Sequence, residues 1–302
     1  RSEVKRYNFL SFLFKHCISN DLKFFVVHYI IIVTFVKILT NISKKYTMAK
    51  KHDIIWLESV NSTNDEARKH ISDLDNLSVL SAYRQNAGRG QRGNTWSSKA
   101  GQNLTFSIIM KYGEKALQEI RAIDQFAISE IAALATIDFL AAHDIEAKIK
   151  WPNDIYVGDR KICGILIEHS VHDGMLSNSV VGIGINVNQT EFPSNLPNPT
   201  SMQNVAPGKT FLLSPLLEEF MDIFKEYCRR YLNITGGQNR LRTLYLAQIW
   251  RKDIPSRFID NSDSREFTGI IRGLSDIGLL VVEDTEKGEL KEFAFKEISY
   301  LI

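Results

Sequence analysis

A chain of 302 residues, 44% hydrophobic and 24% charged, is long enough for one large or two modest domains with a real core. A net charge of +2 argues against bulk electrostatic binding to nucleic acid, which needs a concentrated basic face. Cys17, Cys163 and Cys228 lie far apart without C-x-x-C spacing, so they read as reduced thiols of a cytosolic protein rather than a disulfide framework or a zinc site.

Residues 1–47 contain no Ala, Gly or Pro and are crowded with Phe, Ile, Lys, Asn and Tyr. The apolar run from Phe24 to Leu39 is interrupted by His28 and Lys37. It is also shorter than the roughly 20 residues a spanning helix needs, and no small-residue cleavage site follows it. Met48 stands directly before the first ordinary strand, so the expectation is an extension over 1–47 from upstream translation, with a membrane anchor as its rival.

From Asp53 strands and helices alternate. Ile54–Leu57 reads as a strand, and Ser62-Thr63-Asn64-Asp65-Glu66 opens a helix with Thr63 and Glu66 at capping-box spacing. Leu77–Tyr83 is a second strand. After a glycine loop, Leu104, Phe106, Ile108 and Met110 alternate as a half-buried strand, closing a hairpin around that loop. Apolar residues at helical spacing predict the longest helix over 116–143. Strands follow over Ile145–Ile149, Lys161–Glu168 and Ser179–Val187, with tight turns at Trp151–Asp154 and Gly158–Arg160. The stretch 189–209 reads as a loop leading to helices at about 211–231 and 238–250. Past Pro255, short strands separated by Gly-containing turns suggest a closed β module of SH3-like size.

Four segments carry more polar and glycine content than their positions require: Ser62–Asn64, Gln85–Trp96, Lys150–Asp154 with Lys161–Glu168, and Gly182–Asn186. In Gly88-Arg89-Gly90-Gln91-Arg92-Gly93, bare backbone N–H groups and guanidinium forks combine as an anion-holding loop requires. Such a loop is by itself more often a turn, or an RNA-binding stretch, than a small-ligand site. Ser62 and Thr63 read locally as an N-cap, a role compatible with ligand contact. Gly164, Gly182 and Gly184 weaken apolar strands, which points to close approach of a ligand or of neighbouring chain. Asp154 in P-N-D is equally a turn residue.

The motifs S-T-N, G-R-G-Q-R-G-N-T-W, K-W-P-N-D, R-K-I-C-G-I-L-I-E and G-I-G-I-N-V, in this order, closely resemble those of the biotin protein ligases over roughly residues 53–302. The resemblance implies an α+β fold: a mixed sheet backed by helices over 48–252 and an SH3-like barrel over 253–302. It implies formation of biotinyl-5′-adenylate from biotin and ATP, then transfer of biotin to a lysine of a carrier domain. Catalytic roles fall to Lys161, Asp154 and Arg89, with Lys161 bonding the biotin carboxylate and then the acyl-phosphate. Biotin-binding roles fall to Ser62, Thr63, Asn64, Gln85, Gly88, Arg89, Gly90, Gln91, Lys161, Gly164 and Gly182. The ureido contacts matter because a buried polar group without a partner costs about 1–3 kcal/mol. Arg92, Trp96, Asn153 and Asn186 are implied on the nucleotide side, with Mg2+ neutralising phosphate charge and no protein metal cage. Gln91 departs from one family version that has Arg, which removes a charge-assisted contact to the adenylate.

The 47 leading residues show no amphipathic helix-turn-helix pattern, so the monofunctional type is expected, without a repressor role. The partner implied is the biotin carboxyl carrier domain of a carboxylase. Neither nucleic acid nor membrane is expected, and the protein is expected to be a cytoplasmic monomer or homodimer. A lipoate or octanoyl ligase is the alternative enzyme, and a non-catalytic binding module the alternative class.

Overall fold

The computed structural model describes residues 52–113, 116–232 and 237–301, except the side chain of Arg92. The expectations for the 1–47 extension, Met48 and Cys17 therefore lie outside the described residues. Strands β1 (Ile54–Leu57) and β2 (Val79–Ala82) run parallel, joined by helix α1 (Thr63–Lys69). β3 (Leu104–Lys111) returns antiparallel to β2, forming the expected hairpin around the glycine loop. The remaining strands are β4 (Lys148–Lys150), β5 (Asp154–Val157), β6 (Arg160–His172) and β7 (Met175–Ile185), all antiparallel to their neighbours. The seven-stranded order is β1-β2-β3-β7-β6-β5-β4, a mixed sheet.

One face of this sheet is backed by α2 (Phe126–Ala141), α4 (Leu213–Tyr231) and α5 (Gly237–Ala247); the one-turn α3 (Met202–Val205) follows the loop after β7. Phe220 of α4 meets both Phe106 of β3 and Phe139 of α2 edge to face, and together they form the centre of the core. The opposite face is covered differently. Ala67 of α1 packs on Leu80, Ile109 and Val180, and beyond that small cluster the sheet is surfaced by short side chains. The antiparallel registers align Thr105, Gly184 and Gly164 in one row and Ser107, Gly182 and Leu166 in the next.

Four expectations need correction. β3 is buried along both faces over Leu104–Met110, because helices cover one side and α1 with the glycine loop the other. The helix expected over 116–143 begins only at Phe126, and α4, at 19 residues, is longer than its 16. Ile120 and Ile123 sit at helical spacing with Ala127, but the chain before α2 pairs with the β6–β7 hairpin: Leu176 N–H donates to Ile120 O, and Ala122 N–H to Gly174 O. The capping box is not formed. Ser62 is the N-cap without a side-chain bond, while Glu66 faces Lys69 and His70. Finally, the turn expected at Trp151–Asp154 leads directly into β5, which alternation alone had missed.

A second, five-stranded antiparallel sheet follows, of β8 (Ser256–Asp260), β9 (Arg265–Leu274), β10 (Leu280–Asp284), β11 (Glu289–Phe293) and β12 (Ile298–Tyr300), in the order β11-β10-β9-β8-β12. Its core includes Phe258, Phe267, Leu280, Val282 and Phe293. Both sheets belong to one compact unit, His52–Ile302. Cys163 and Cys228 are buried free thiols. Among the described residues no helix is long and apolar enough to cross a membrane.

Candidate active site

A cavity of about 580 Å³ lies over the small-residue rows of β3, β6 and β7. It gathers most of the residues singled out by sequence: Ser62, Thr63, Asn64, Gln85, Arg89, Gly90, Gln91, Trp96, Asn153, Asp154, Lys161, Gly164 and Gly182. Gly88 and Asn186 do not line it. A Cβ on Gly88 would meet the Trp96 carbonyl oxygen at 2.4 Å, so this glycine lets the loop fold onto itself. Asn186 is buried, and its Nδ2 donates to Thr200 O at 2.9 Å, joining the end of β7 to the following loop.

At one end of the cavity the backbone beyond β1 and β2 continues to pair: Asn86 N–H donates to Val60 O and Ala87 N–H to Asn61 O. This holds Gln85 beside the start of α1, where its Oε1 accepts from the Thr63 backbone N–H at 2.8 Å. Asn64 lies over Gly182. Its amide donates to Leu166 O at 3.1 Å and to Glu168 at 2.9 Å, and its Oδ1 is 2.6 Å from Ser107 Oγ. A Cβ on Gly182 would fall 2.2 Å from Asn64 Oδ1, which explains the glycine by the amide above it. In the neighbouring row the Trp96 indole rests on Gly184 and Gly164, where added Cβ atoms would meet its ring at 2.4 and 3.1 Å.

At the other end, Lys161 Nζ is 2.7 Å from Asp154 Oδ1, across the β5–β6 ladder, and 5.7 Å from the Trp96 ring centroid. Lys150 stands nearby between the rings of Tyr156 and Tyr300, at 4.9 and 5.0 Å, and donates to the Tyr156 hydroxyl at 3.1 Å. Burial is the main cause that lowers the Lys150 pKa, partly countered by Asp154. Asn153 bonds Ile165 O at 2.8 Å and so ties the W-P-N-D turn to β6.

Arg89 is held at the rim by carboxylates, 2.7 Å from Glu168 and 2.8 Å from Asp65. Burial alone would raise the Glu168 pKa, but hydrogen bonds from Arg89 and Asn64, with the charges of Arg89 and Arg68, carry it below the usual carboxylate range. Gln91 lines the cavity within a 3-10 turn, Gln91–Gly93; the side chain of Arg92 lies outside the described residues.

Sequence reasoning missed one wall. Ile298, Ser299 and Tyr300 of β12 line the cavity together with Asn261 after β8 and Phe295 and Lys296 of the β11–β12 turn, segments that carry no motif. It also passed over Lys150 and Trp151 as ligand-side residues, although they stand inside K-W-P-N-D. The second sheet is docked through its β9–β10 turn: Trp151 Nε1 donates to Gly278 O at 3.0 Å, and Arg242 donates to Ser275 O at 2.7 Å while pairing with Glu130.

The chain matches the family model described as the biotin/lipoate A/B protein ligase family over residues 56–186. It is 30% identical over 232 residues to the biotin–[acetyl-CoA-carboxylase] ligase of Paracoccus denitrificans, covering 75% of this chain and 92% of that protein. The bifunctional ligase/repressor BirA of Bacillus subtilis is 27% identical over 238 residues, or 78% of this chain and 69% of that one. Among solved structures, the biotin protein ligase from Aquifex aeolicus in complex with biotin and ATP superposes with a TM-score of 0.65 at 25% identity, covering 82% of this chain and 98% of that chain.

Proposed function

The chain belongs to the biotin protein ligases, and we propose on that premise that it condenses biotin with ATP and passes the biotinyl group to a lysine of a carboxylase carrier domain. The observation that carries the reading is the Lys161–Asp154 pair at one end of a cavity whose other end offers Thr63 and Gln85. A neutral ureido ring needs a donor and an acceptor, a thioether ring needs apolar walls, and a carboxylate needs a cation at the far end. The cavity supplies all three in that order, with Ile165, Leu166 and Ile183 among its apolar lining.

In the first step a biotin carboxylate oxygen attacks the α-phosphorus of ATP and pyrophosphate leaves. Lys161 holds the carboxylate and then the acyl-phosphate oxygens, kept in place by Asp154. In the second step the carrier lysine amine attacks the acyl carbon, AMP leaves, and an amide forms. Asp154 is the one carboxylate among the described residues lining the cavity, which supports it as the group that receives the proton of the incoming amine in this reading. Trp96 and Asn153 serve the nucleotide side, and Arg89 is released from Glu168 and Asp65 to meet the reacting anion. Residues 253–302 then act as a second domain that closes the nucleotide end, through Tyr300 and Lys296.

Among the described residues no three His, Cys, Asp or Glu side chains converge to hold a metal. Mg2+ enters this reading as the counter-ion of the ATP phosphates, which calls for no dedicated protein cage, and no step is assigned to it. Buried free thiols at Cys163 and Cys228 support a cytoplasmic location. The test is pyrophosphate exchange into ATP with biotin, lipoate or octanoate added separately. Exchange dependent on biotin supports the reading; exchange with lipoate or octanoate instead transfers the chain to the sister ligases.

A further inference from the structure

Among the described residues, seven that are not glycine have left-handed backbone, and Lys296, at φ 73°, is the one of them that lines the cavity. It stands third in the turn Ala294–Glu297 between β11 and β12, closed by a bond of 3.0 Å from Glu297 N–H to Ala294 O. Glycine adopts a positive φ at that place freely, whereas a residue with a Cβ is disfavoured there.

The surrounding bonds keep the turn from relaxing. Asn261 Nδ2 donates to Lys296 O at 2.7 Å and to Ser299 Oγ at 2.9 Å, and Asn261 N–H donates to Glu297 O at 2.8 Å. Ala294 N–H donates to the Glu297 carboxylate at 2.8 Å. A lysine is thus held in a conformation that suits glycine, at the lip of the cavity. Such a penalty persists where the side chain supplies something the backbone does not.

The charges of the cavity indicate what it supplies. Four cations line it, Arg89, Lys150, Lys161 and Lys296. Arg89 faces Glu168 and Asp65, Lys161 faces Asp154, and Lys150 lies between the rings of Tyr156 and Tyr300. Lys296 is the exposed one of the four and the one carried by the second sheet, on the turn that leads into Tyr300. When the bond to the α-phosphorus breaks, negative charge builds on the departing pyrophosphate, and a cation placed there before the reaction stabilises it without reorganisation.

We propose that Lys296 binds the β- and γ-phosphates of ATP and the pyrophosphate that leaves. With the α-phosphorus at Lys161, the rest of the triphosphate extends toward water, where the exposed ammonium of Lys296 meets it as a point charge. The proposal rests on the ligase reading and adds to it a phosphate contact from outside the sequence motifs.

The test measures biotin-dependent pyrophosphate exchange and urea unfolding for Lys296→Gly, Lys296→Ala and Lys296→Arg. Lys296→Gly is expected to be at least as stable as wild type, because glycine takes the left-handed place freely. The same variant should raise KM for ATP and for pyrophosphate about 10-fold, while KM for biotin and inhibition by AMP stay within about twofold. Lys296→Ala should show the same rise in KM without the gain in stability. Lys296→Arg should keep KM for ATP within about threefold, since a guanidinium also pairs with phosphate. A merely structural role would make the kinetic loss follow the loss of stability, and the glycine variant sets the two in opposition. Wild-type KM values for ATP and pyrophosphate in Lys296→Gly overturn the proposal and leave the ligase reading standing. A rise confined to KM for the carrier domain of an acetyl-CoA carboxylase does the same. No biotin-dependent exchange in wild type removes both.

Discussion

Two glycines on one face of β7, two residues apart, should respond in opposite ways to the same added methyl group. In Gly182→Ala the Cβ arrives 2.2 Å from Asn64 Oδ1, well inside ordinary contact at 3.4 Å, so the amide must retreat by about 1 Å. Asn64 is buried and held on three sides, by Leu166 O, Glu168 and Ser107. Retreat stretches those bonds in a place water does not reach, at a cost of about 2–4 kcal/mol. In Gly184→Ala the Cβ lands 2.4 Å from the Trp96 indole. That ring belongs to an extended loop and is half-buried, and its Nε1 makes no hydrogen bond among the described residues. Moving it forfeits packing and a distant contact with the Lys161 cation, about 1 kcal/mol or less, part of which the better strand propensity of alanine offsets. Urea unfolding should therefore show Gly182→Ala clearly destabilised and Gly184→Ala near wild type. Biotin-dependent pyrophosphate exchange should show Gly184→Ala with a raised KM for ATP. Equal destabilisation of the two variants, or a Gly182→Ala protein within about 1 kcal/mol of wild type, would refute the claim that Asn64 is the rigid occupant and Trp96 the movable one.

Lys161→Ala should lower the rate of adenylate formation by about 10²–10⁴-fold, read in a single-turnover assay with biotin and ATP; a wild-type rate removes its role. Asp154→Asn should slow transfer from preformed biotinyl-adenylate more than it slows adenylation, and equal single-turnover transfer would remove it as the proton acceptor. Burial carries the Glu130 pKa up to about 7, against the opposing pull of Arg242. A carboxyl raised above its unfolded value of about 4.5 contributes stability that is present below that value and is lost as pH rises through about 7. Burial pushes His169 down to about 4 and gives the opposite slope, so the difference between wild type and Glu130→Gln isolates the Glu130 contribution, up to about 3 kcal/mol between pH 4 and 8. Parallel stability–pH curves for the two proteins would contradict it. Trp151→Phe removes the bond to Gly278 O while keeping an aromatic ring, and should raise KM for ATP several-fold with little change in KM for biotin; equal effects on both would show that the β9–β10 turn does not favour the nucleotide end.

The parts of the site that were legible in sequence are those where a residue type is at odds with its element. Gly164, Gly182 and Gly184 interrupt apolar strands, and each marks a real close approach, although the groups that approach are Asn64 and Trp96 of the chain itself. The helical spacing around Ile120 misled because spacing reports burial, and Ile120 is buried through strand-like pairing with the β6–β7 hairpin. The wall made by Phe295 to Tyr300 left no local trace, since it depends on where one sheet docks against another through Trp151 and Arg242.

Ser107 belongs between these cases. In Leu104–Met110 the two polar residues, Thr105 and Ser107, alternate with Phe106 and Ile108, and alternation alone would have sent them to solvent. They are buried instead. Thr105 donates to Ala82 O at 2.8 Å, satisfying itself within the sheet, whereas Ser107 reaches out of the sheet to α1. A polar stripe on a strand that is buried on both faces has to be answered by partners, and only one of these two hydroxyls finds them in residues that line the cavity. That difference separates a hydroxyl that serves the sheet from one that buttresses residues of the cavity wall, and it appears only once the register with β7 and the placement of Asn64 are known.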